Sequence, residues 1–226
     1  EDLLLVHNKE YVEFVKRASA SGGISLDGGD TPAVKGIYEG ARSAVGGSIL
    51  GARLLLNGGA VHAFNPGGGW HHAKADSASG FCVFNDIAVA TRILQRNGIE
   101  RIAILDVDGH HADGTQEIFY SEPILKISLH RAGYFFFPGT GFVDEIGEGE
   151  GKGYSVNLPL PRGTDDDAYL YAFNEVVPPL IRSYRPQILL NQFGVDGHYR
   201  DPLVGLSLTT RTFGAVASTM HALAHE

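Results

Sequence analysis

The stretch "LDVDGHHADGTQ", residues 105–116, places three aspartates and two histidines within nine residues, directly after an apolar run. Charged groups at this density are costly inside a fold unless something binds them. Asp108 and His110 are two positions apart, so in an extended loop their side chains point the same way. Together they supply two of the three protein ligands of an open metal site. The alternative, that Asp106 and Asp108 only cap turns, fits one aspartate better than the whole run.

Short apolar runs alternate with longer helical patterns along the chain, which is typical of an α/β fold with a mostly parallel sheet. The predicted strands are Ala60–Phe64, Arg101–Leu105, Ile124–Leu129, Tyr154–Leu158 and Gln187–Phe193. The predicted helices lie within residues 40–56, 85–98, 165–184 and 211–225. We expect Pro178-Pro179 to kink or split the third of these helices. The chain has neither an internal repeat nor a linker, which predicts a single domain over residues 1–226.

Three polar clusters each follow a predicted strand: "NPGGGWHH" at residues 65–72, "DVDGHH" at 106–111 and "GVDGHYRDP" at 194–202. Ligands of parallel α/β sheets bind beyond the carboxyl ends of strands, so the three clusters are expected to converge on one site. Asp196 is then the natural third metal ligand. Adjacent histidines such as His71 and His72 can act as paired proton carriers when carboxylates orient them. The alternative is that one of the two is a solvated surface histidine.

Composition excludes several classes of protein. The formal net charge of -8 and the lack of any Lys/Arg block argue against a nucleic-acid partner. No apolar run approaches the roughly 20 residues that cross a bilayer, so no membrane partner is predicted. Cys82 is the single cysteine, which rules out an internal disulfide and suits a reducing compartment. With no signal peptide at the amino terminus, we predict a cytoplasmic location.

Four ordered segments carry a family resemblance: residues 67–86, 105–116, 128–141 and 194–203. They read "GGGWHHAKADSASGFCVFND", "LDVDGHHADGTQ", "SLHRAGYFFFPGTG" and "GVDGHYRDPL", and they resemble the signature segments of the histone deacetylase superfamily. The segment "HYRDPLVGLSLTTR" at residues 198–211 is most similar to the bacterial and archaeal branch that includes the acetoin utilization deacetylases. The resemblance implies an arginase/deacetylase-like three-layer α/β fold with a mostly parallel central sheet.

The resemblance also implies a zinc-dependent amidohydrolase that removes acetyl groups from N-acetylated amines, with acetyl-lysine in proteins as the expected substrate. The metal would polarise the acetamide carbonyl and activate a water. Zn²⁺, or Fe²⁺ in its place, would be held by Asp108, His110 and Asp196. The proton-transfer roles would fall to His72 as general base and acid and His71 as its charged neighbour, with Asp113 and Asp106 respectively orienting them.

Substrate contacts follow from the same resemblance. The residues that would line a narrow tunnel are Gly80, Phe81 and Phe137. Asp30 matches a rim aspartate that holds the substrate backbone. Leu203 matches a rim position that is acidic in polyamine-selecting relatives. Main-chain carbonyls would bind a structural K⁺ or Na⁺ at Asp106, Asp108, His110, Ser128 and Leu129. The expected partner is an acetylated protein or a small acetylated amine, and a homo-oligomer is left open.

The sequence departs from the family at both ends. It opens inside the family's domain with "EDLLLVHNKEYVEF" and closes at "MHALAHE", before the glycine-rich segment whose tyrosine donates to the developing oxyanion. We therefore expect a domain truncated at both ends and reduced activity for the 226-residue chain. Tyr134 and Tyr199 lie near the mapped site, but neither is assigned the tyrosine's role. Two alternatives stay open: a binuclear manganese arginase-like hydrolase and a catalytically impaired acyl-binding protein.

Overall fold

The computed structural model describes residues 1–133 and 135–226, so Tyr134 lies outside the described residues. The chain forms two compact units. The first comprises residues 1–99 and 114–118, and the second comprises residues 100–113 and 119–226. The single domain over residues 1–226 stays a prediction.

The first unit is mainly helical. Its main helices are α1 (Lys9–Ser21), α2 (Ile37–Leu56) and α3 (Asp86–Arg96), preceded by a 3-10 turn at Asp2–Leu5. Two short antiparallel strands, β1 (Ile24–Ser25) and β2 (Pro32–Ala33), connect α1 to α2. α3 packs against α2, and its buried side chains include Ile87, Ile93 and Leu94. The helix ends before Asn97-Gly98, where Gly98 adopts a positive φ of 84°, so the predicted helix and its stop are confirmed.

The predicted strand Ala60–Phe64 is wrong. The chain runs without regular structure from the end of α2 into the "NPGGGWHH" segment. The exposed fractions of Val61 and Phe64 are 81% and 86%, so the apolar side chains that suggested a buried strand face solvent instead. A buried strand needs a neighbouring strand and a core to cover it, and these residues have no strand partner in the described sheets. His71 and His72 therefore do not follow a strand.

The second unit is built on a four-stranded parallel sheet. Its strands are β3 (Ile102–Asp106), β4 (Leu125–Arg131), β5 (Ser155–Leu160) and β6 (Ile188–Gln192), in the spatial order β5-β4-β3-β6. All four strands were predicted from their apolar runs, and all four are confirmed. In register, Asp106 at the end of β3 lies opposite Ser128 on one side and Gln192 on the other. The α/β class with a parallel central sheet is therefore confirmed.

Two long helices, α5 (Asp166–Tyr184) and α6 (Thr210–Leu223), belong to the same unit and share its hydrophobic core. The core joins β-strand residues to α5 through Leu105, Ile127, Leu129, Tyr169, Phe173 and Val177. Pro178 and Pro179 lie inside α5, which runs as one helix, so they do not split it, and the alternative that they kink it stays a prediction. The two prolines have no backbone N–H to donate within the helix. Burial of Val177 and Ile181 against the core holds the helical turn around them in place.

A short helix, α4 (Asp113–Ile118), follows the aspartate-rich stretch. Asp113 belongs to the second unit, and residues 114–118 belong to the first. Among the described residues, no helix has both the length and the apolar composition that a bilayer-spanning segment needs.

Candidate metal centre and histidine pair

The loop after β3 is shaped by its own carboxylates. The backbone N–H of Asp108 donates to Asp106 over 3.1 Å, and the backbone N–H of His110 donates to Asp108 over 2.8 Å. The N–H of Gly109 donates to Oδ1 of Asp196 over 2.6 Å, which joins this loop to the loop after β6. A Cβ at Gly109 would overlap the side chain of Val204, so the close approach of the two loops requires glycine.

The structure brings Asp108, His110 and Asp196 together. Nδ1 of His110 lies 2.7 Å from Oδ2 of Asp196 and 3.2 Å from Oδ1 of Asp108. One ligand atom from each residue lies within 4.8 Å of the others. Bonds of about 2.0–2.2 Å from nitrogen and oxygen ligands to a central ion need a cluster of this size. The side chains of the three residues are 14%, 17% and 25% exposed, which leaves the cluster open on one side.

The electrostatics of the cluster favour a cation. Burial lowers the pKa of His110, but hydrogen bonds to Asp108 and Asp196 outweigh burial and raise it to about 9. Burial raises the pKa of the Asp196 carboxyl, and the like charge of Asp108 adds to this effect. Two neighbouring carboxylates thus retain positive charge on the imidazole beside them. A divalent cation can take the place of that proton, so the donor set fits a metal.

Two contacts of this cluster were not predicted. The ring of Phe136 stacks on His110 with centroids 4.9 Å apart and planes 14° apart, whereas the Phe137 ring lies edge-on at 6.1 Å. In the run "FFF" the sequence cannot tell which ring turns toward the histidine. The amide of Gln192 donates to Oδ2 of Asp108 over 3.3 Å. The only signal in the sequence for a role of Gln192 was its position at the carboxyl end of a strand.

His71 and His72 contact each other directly. Their Nε2 atoms lie 2.9 Å apart, their ring centroids lie 3.9 Å apart, and both side chains are almost fully buried. A hydrogen bond between two Nε2 atoms requires one ring to donate and the other to accept. The interpretation of one of them as a solvated surface histidine is therefore wrong. The pair can hold or pass a proton.

Asn85 anchors the histidine pair from α3. Its side-chain amide donates to the carbonyls of His71 over 3.3 Å and Ala73 over 3.2 Å, while its Oδ1 caps α3 by accepting from Ala88. Its backbone N–H donates to Nε2 of His7 over 3.0 Å. Asn85 was not predicted as a site residue, although an asparagine before a helical pattern is a signal for a cap.

The glycine-rich loop before the pair is held by a buried carboxylate. Asp86 accepts hydrogen bonds from the backbone N–H groups of Gly69 and Trp70, over 3.0 Å and 2.8 Å, and from the hydroxyl of Ser48. Burial raises the pKa of Asp86 despite these donors. A Cβ at Gly68 would overlap the Asp86 carboxylate, which explains a glycine at that position. This support for the loop was also missed.

The predicted substrate residues differ in how the structure presents them. In the first unit, Gly80 and Phe81 both adopt positive φ. The Phe81 ring is largely exposed, and the backbone N–H of Phe81 donates to the Thr31 hydroxyl over 3.0 Å. Asp30 is exposed on the loop before β2. In the second unit, Phe137 and Leu203 are exposed to 41% and 61%.

The remaining predicted residues belong to the second unit. Asp106 is buried, and Asp113 begins α4 with its N–H donating to the carbonyl of His111 over 2.8 Å. Asp106 and Ser128, two of the residues predicted to bind a monovalent cation, face each other in register across β3 and β4. The roles of these residues, and the convergence of the histidine pair with the metal ligands, stay predictions.

Comparisons with known proteins agree with the resemblance. The profile of the histone deacetylase domain matches residues 1–226. The chain is 40% identical to the acetoin utilization protein AcuC of Bacillus subtilis, with all of this chain and 60% of that protein covered. It is 42% identical to a "Probable deacetylase" of Archaeoglobus fulgidus, with all of this chain and 62% of that protein covered.

A solved structure, the crystal structure of an HDAC homolog complexed with SAHA, superposes with a TM-score of 0.91 at 33% identity. The superposition covers all of this chain and 63% of that one. The chain thus spans about three fifths of the length of the curated relatives it matches. The family, its acetoin utilization branch and the histone deacetylase fold are confirmed: the chain belongs to the histone deacetylase family.

Proposed function

We propose that this chain carries the core of a metal-dependent deacetylase that hydrolyses N-acetylated amines, with acetyl-lysine in proteins as its substrate. The observation that carries the proposal is the open cluster of Asp108, His110 and Asp196 in a chain whose relatives are named deacetylases. Two carboxylates and one imidazole, with one side open, are the donor set of a catalytic rather than a closed structural site.

In this proposal Asp108, His110 and Asp196 hold Zn²⁺, or Fe²⁺ in its place. A bound zinc ion supplies a Lewis acid and lowers the pKa of a water molecule that it binds. Gln192 orients Asp108 by donating to its second oxygen, and the Phe136 ring fixes the plane of the His110 imidazole. Orientation of this kind fixes the ring and tunes the ligand's basicity.

We further propose that His72 moves the proton of the reaction. It would accept a proton from the attacking water and deliver it to the leaving amine nitrogen. His71 is hydrogen-bonded to His72 through the two Nε2 atoms and would act as its charged neighbour. Asp113 and Asp106 would orient His72 and His71 respectively. Burial of both imidazoles supports the proposal, because a dry pair exchanges its proton with substrate rather than with solvent.

For the substrate, we propose that Phe81 and Phe137 enclose the aliphatic chain of the acetylated amine beside Gly80. Both rings are exposed without a core to cover them, which suits a binding surface. Asp30 would hold the substrate backbone, and the apolar Leu203 would leave a distant ammonium without a counter-charge. We propose that main-chain carbonyls around Asp106 and Ser128 bind a structural K⁺ or Na⁺. We also propose a cytoplasmic location.

The test is hydrolysis of an acetyl-lysine peptide by metal-depleted protein before and after zinc is added back. We expect activity to return with one equivalent of zinc per chain, and Asp196→Asn to remain inactive under the same conditions. Tight peptide binding by the zinc-loaded protein without hydrolysis would indicate an acyl-binding protein. Activity that requires two manganese ions per chain would indicate an arginase-like hydrolase.

A further inference from the structure

Strand β4 has one apolar face and one polar face, and both are buried. Leu125, Ile127 and Leu129 point into the hydrophobic core of the second unit. The intervening residues, which point the other way, are polar: Lys126, Ser128 and His130, with exposed fractions of 6%, 6% and 0%. A lysine at this depth is unusual, because a buried ammonium must recover the hydration it loses. None of the proposed catalytic roles involves Lys126.

The Lys126 ammonium is surrounded by main-chain carbonyls. Its Nζ donates to the carbonyl oxygens of Phe119 over 2.8 Å and Ile124 over 2.9 Å, and a third carbonyl, that of Glu122, lies 3.5 Å away. All three belong to the short turn between α4 and β4. The turn has its own backbone bonds, from Glu122 N–H to Phe119 and from Ile124 N–H to Glu122. These bonds hold the three carbonyls in place around Nζ.

The charge at this position suits the carbonyls. Burial lowers the pKa of Lys126 to about 8, and the Glu122 carboxylate acts in the opposite direction. The side chain is therefore mainly an ammonium at neutral pH. Three N–H bonds of an ammonium match three acceptors, whereas a neutral amine has only two. Convergent main-chain carbonyls are also the ligands with which proteins replace the hydration shell of potassium.

We propose that the ammonium of Lys126 takes the place of a bound monovalent cation among the carbonyls of Phe119, Glu122 and Ile124, as a cation built into the chain. The ammonium thereby fixes the turn that leads into β4. This site is separate from the one assigned above to the carbonyls around Asp106 and Ser128. If the lysine is shortened, the vacated position should accept a free monovalent cation such as K⁺ or NH₄⁺.

The simpler interpretation is that the stem of Lys126 only fills space and that its charge is incidental. Two variants separate the interpretations. Lys126→Ala removes the charge and opens room for an ion, whereas Lys126→Met removes the charge but keeps the room filled. Lys152→Ala, at an exposed lysine, is the matched control.

The experiment measures thermal unfolding midpoints in potassium chloride and in choline chloride at equal ionic strength. The wild-type protein and Lys152→Ala give the baseline potassium effect, including any from the site near Asp106. We expect Lys126→Ala and Lys126→Met both to unfold at lower temperature in choline. Potassium should raise the midpoint of Lys126→Ala by several degrees beyond the baseline, and this increase should saturate as the potassium concentration rises. Lys126→Met should show the baseline effect only.

Equal potassium effects in Lys126→Ala and the wild type would overturn the proposal. If Lys126→Ala does not fold in either salt, the wild-type protein decides the matter by ¹H–¹⁵N spectra of its lysine side chains at neutral pH. The proposal requires one ammonium signal that exchanges slowly with water and disappears in Lys126→Met. Rapid exchange of every lysine ammonium would overturn it.

Discussion

The Nδ1 atom of His110 lies 2.7 Å from Oδ2 of Asp196, a residue 86 positions further along the chain. The parallel pairing of β3 and β6 makes this contact possible, because Asp106 and Gln192 end their strands in register. The loops that follow therefore leave the same edge of the sheet side by side. The parallel sheet thus brings the two loops together, and the loops carry the ligand side chains.

Replacing His72 by alanine should separate proton transfer from metal binding. We expect zinc content to stay at the wild-type level while turnover falls by about 10²–10⁴-fold, the usual scale for losing a general acid–base group. Metal analysis and peptide deacetylation on the same preparation give both quantities. Loss of zinc from His72→Ala would place the imidazole among the ligands and contradict the proposed role.

Leu203 should influence the choice of substrate. The apolar side chain offers no partner to the second ammonium of an acetylpolyamine, so kcat/KM should favour acetyl-lysine peptides. Leu203→Glu should shift the ratio toward acetylpolyamines by about 1.5- to 5-fold, since an exposed ion pair contributes about 0.2–1 kcal/mol. Tyr171→Glu, at an exposed position of α5, controls for the added charge. An unmodified protein that already prefers polyamines would refute this assignment.

Asn85 should stabilise both a helix and the loop of the histidine pair. Asn85→Ser keeps a cap for α3 but loses the amide donors to His71 and Ala73. The loss should cost about 1–3 kcal/mol, mainly at the buried Ala73 carbonyl, because the His71 carbonyl still accepts from the backbone N–H of Thr115. Asn85→Ala also loses the cap, for about 1 kcal/mol more. Both variants should lose activity to a similar extent, because the loop and not the cap positions His71. Urea unfolding and turnover test this, and wild-type stability of Asn85→Ser would exclude it.

His7 should make the stability of the first unit depend on pH. Its Nε2 accepts from Asn85 and its Nδ1 donates to the carbonyl of Lys74, so the folded state needs the neutral ring. Burial lowers the pKa of His7 to about 4, while hydrogen bonds to Lys74 and Ala75 oppose it. Because the unfolded state binds the proton more tightly, the contribution is complete above pH 6.5 and declines toward pH 4.

The decline amounts to about 3 kcal/mol in the free energy of unfolding. His7→Gln should lack it, so its deficit relative to the wild type should be larger at neutral pH than at pH 4. Urea unfolding at three pH values between these limits measures the difference. A constant deficit at all three values would show that His7 does not titrate as the hydrogen bonds require.

Local pattern was enough to predict β3, β4, β5 and β6, because each is a short apolar run bounded by polar turns. The same reasoning failed at Ala60–Phe64, since a short apolar run does not reveal whether a core exists to cover it. Val61 and Phe64 are exposed instead. The split expected at Pro178-Pro179 is also absent, because packing of α5 onto the core outweighs the local preference.

For the site, the sequence pointed to Asp108, His110 and Asp196, because spacing and strand ends limit where ligands can lie. It could not find Phe136, Gln192 or Asn85. Each of these acts through a contact with a residue distant along the chain: Phe136 with His110, Gln192 with Asp108, and Asn85 with His71. Contacts of this kind depend on side-chain directions in the folded chain, which spacing alone does not specify.

The most direct test of the central claim is the zinc content and zinc affinity of Asp108→Asn and Asp196→Asn. Each change keeps the size of the side chain and removes a charged ligand from a three-ligand site. Asp144→Asn, at an exposed carboxylate of the same unit, is the control. The account predicts one tightly bound zinc per chain in the wild type and the control, and loss of stoichiometric zinc in both site variants. One zinc per chain bound with wild-type affinity by both site variants would contradict it.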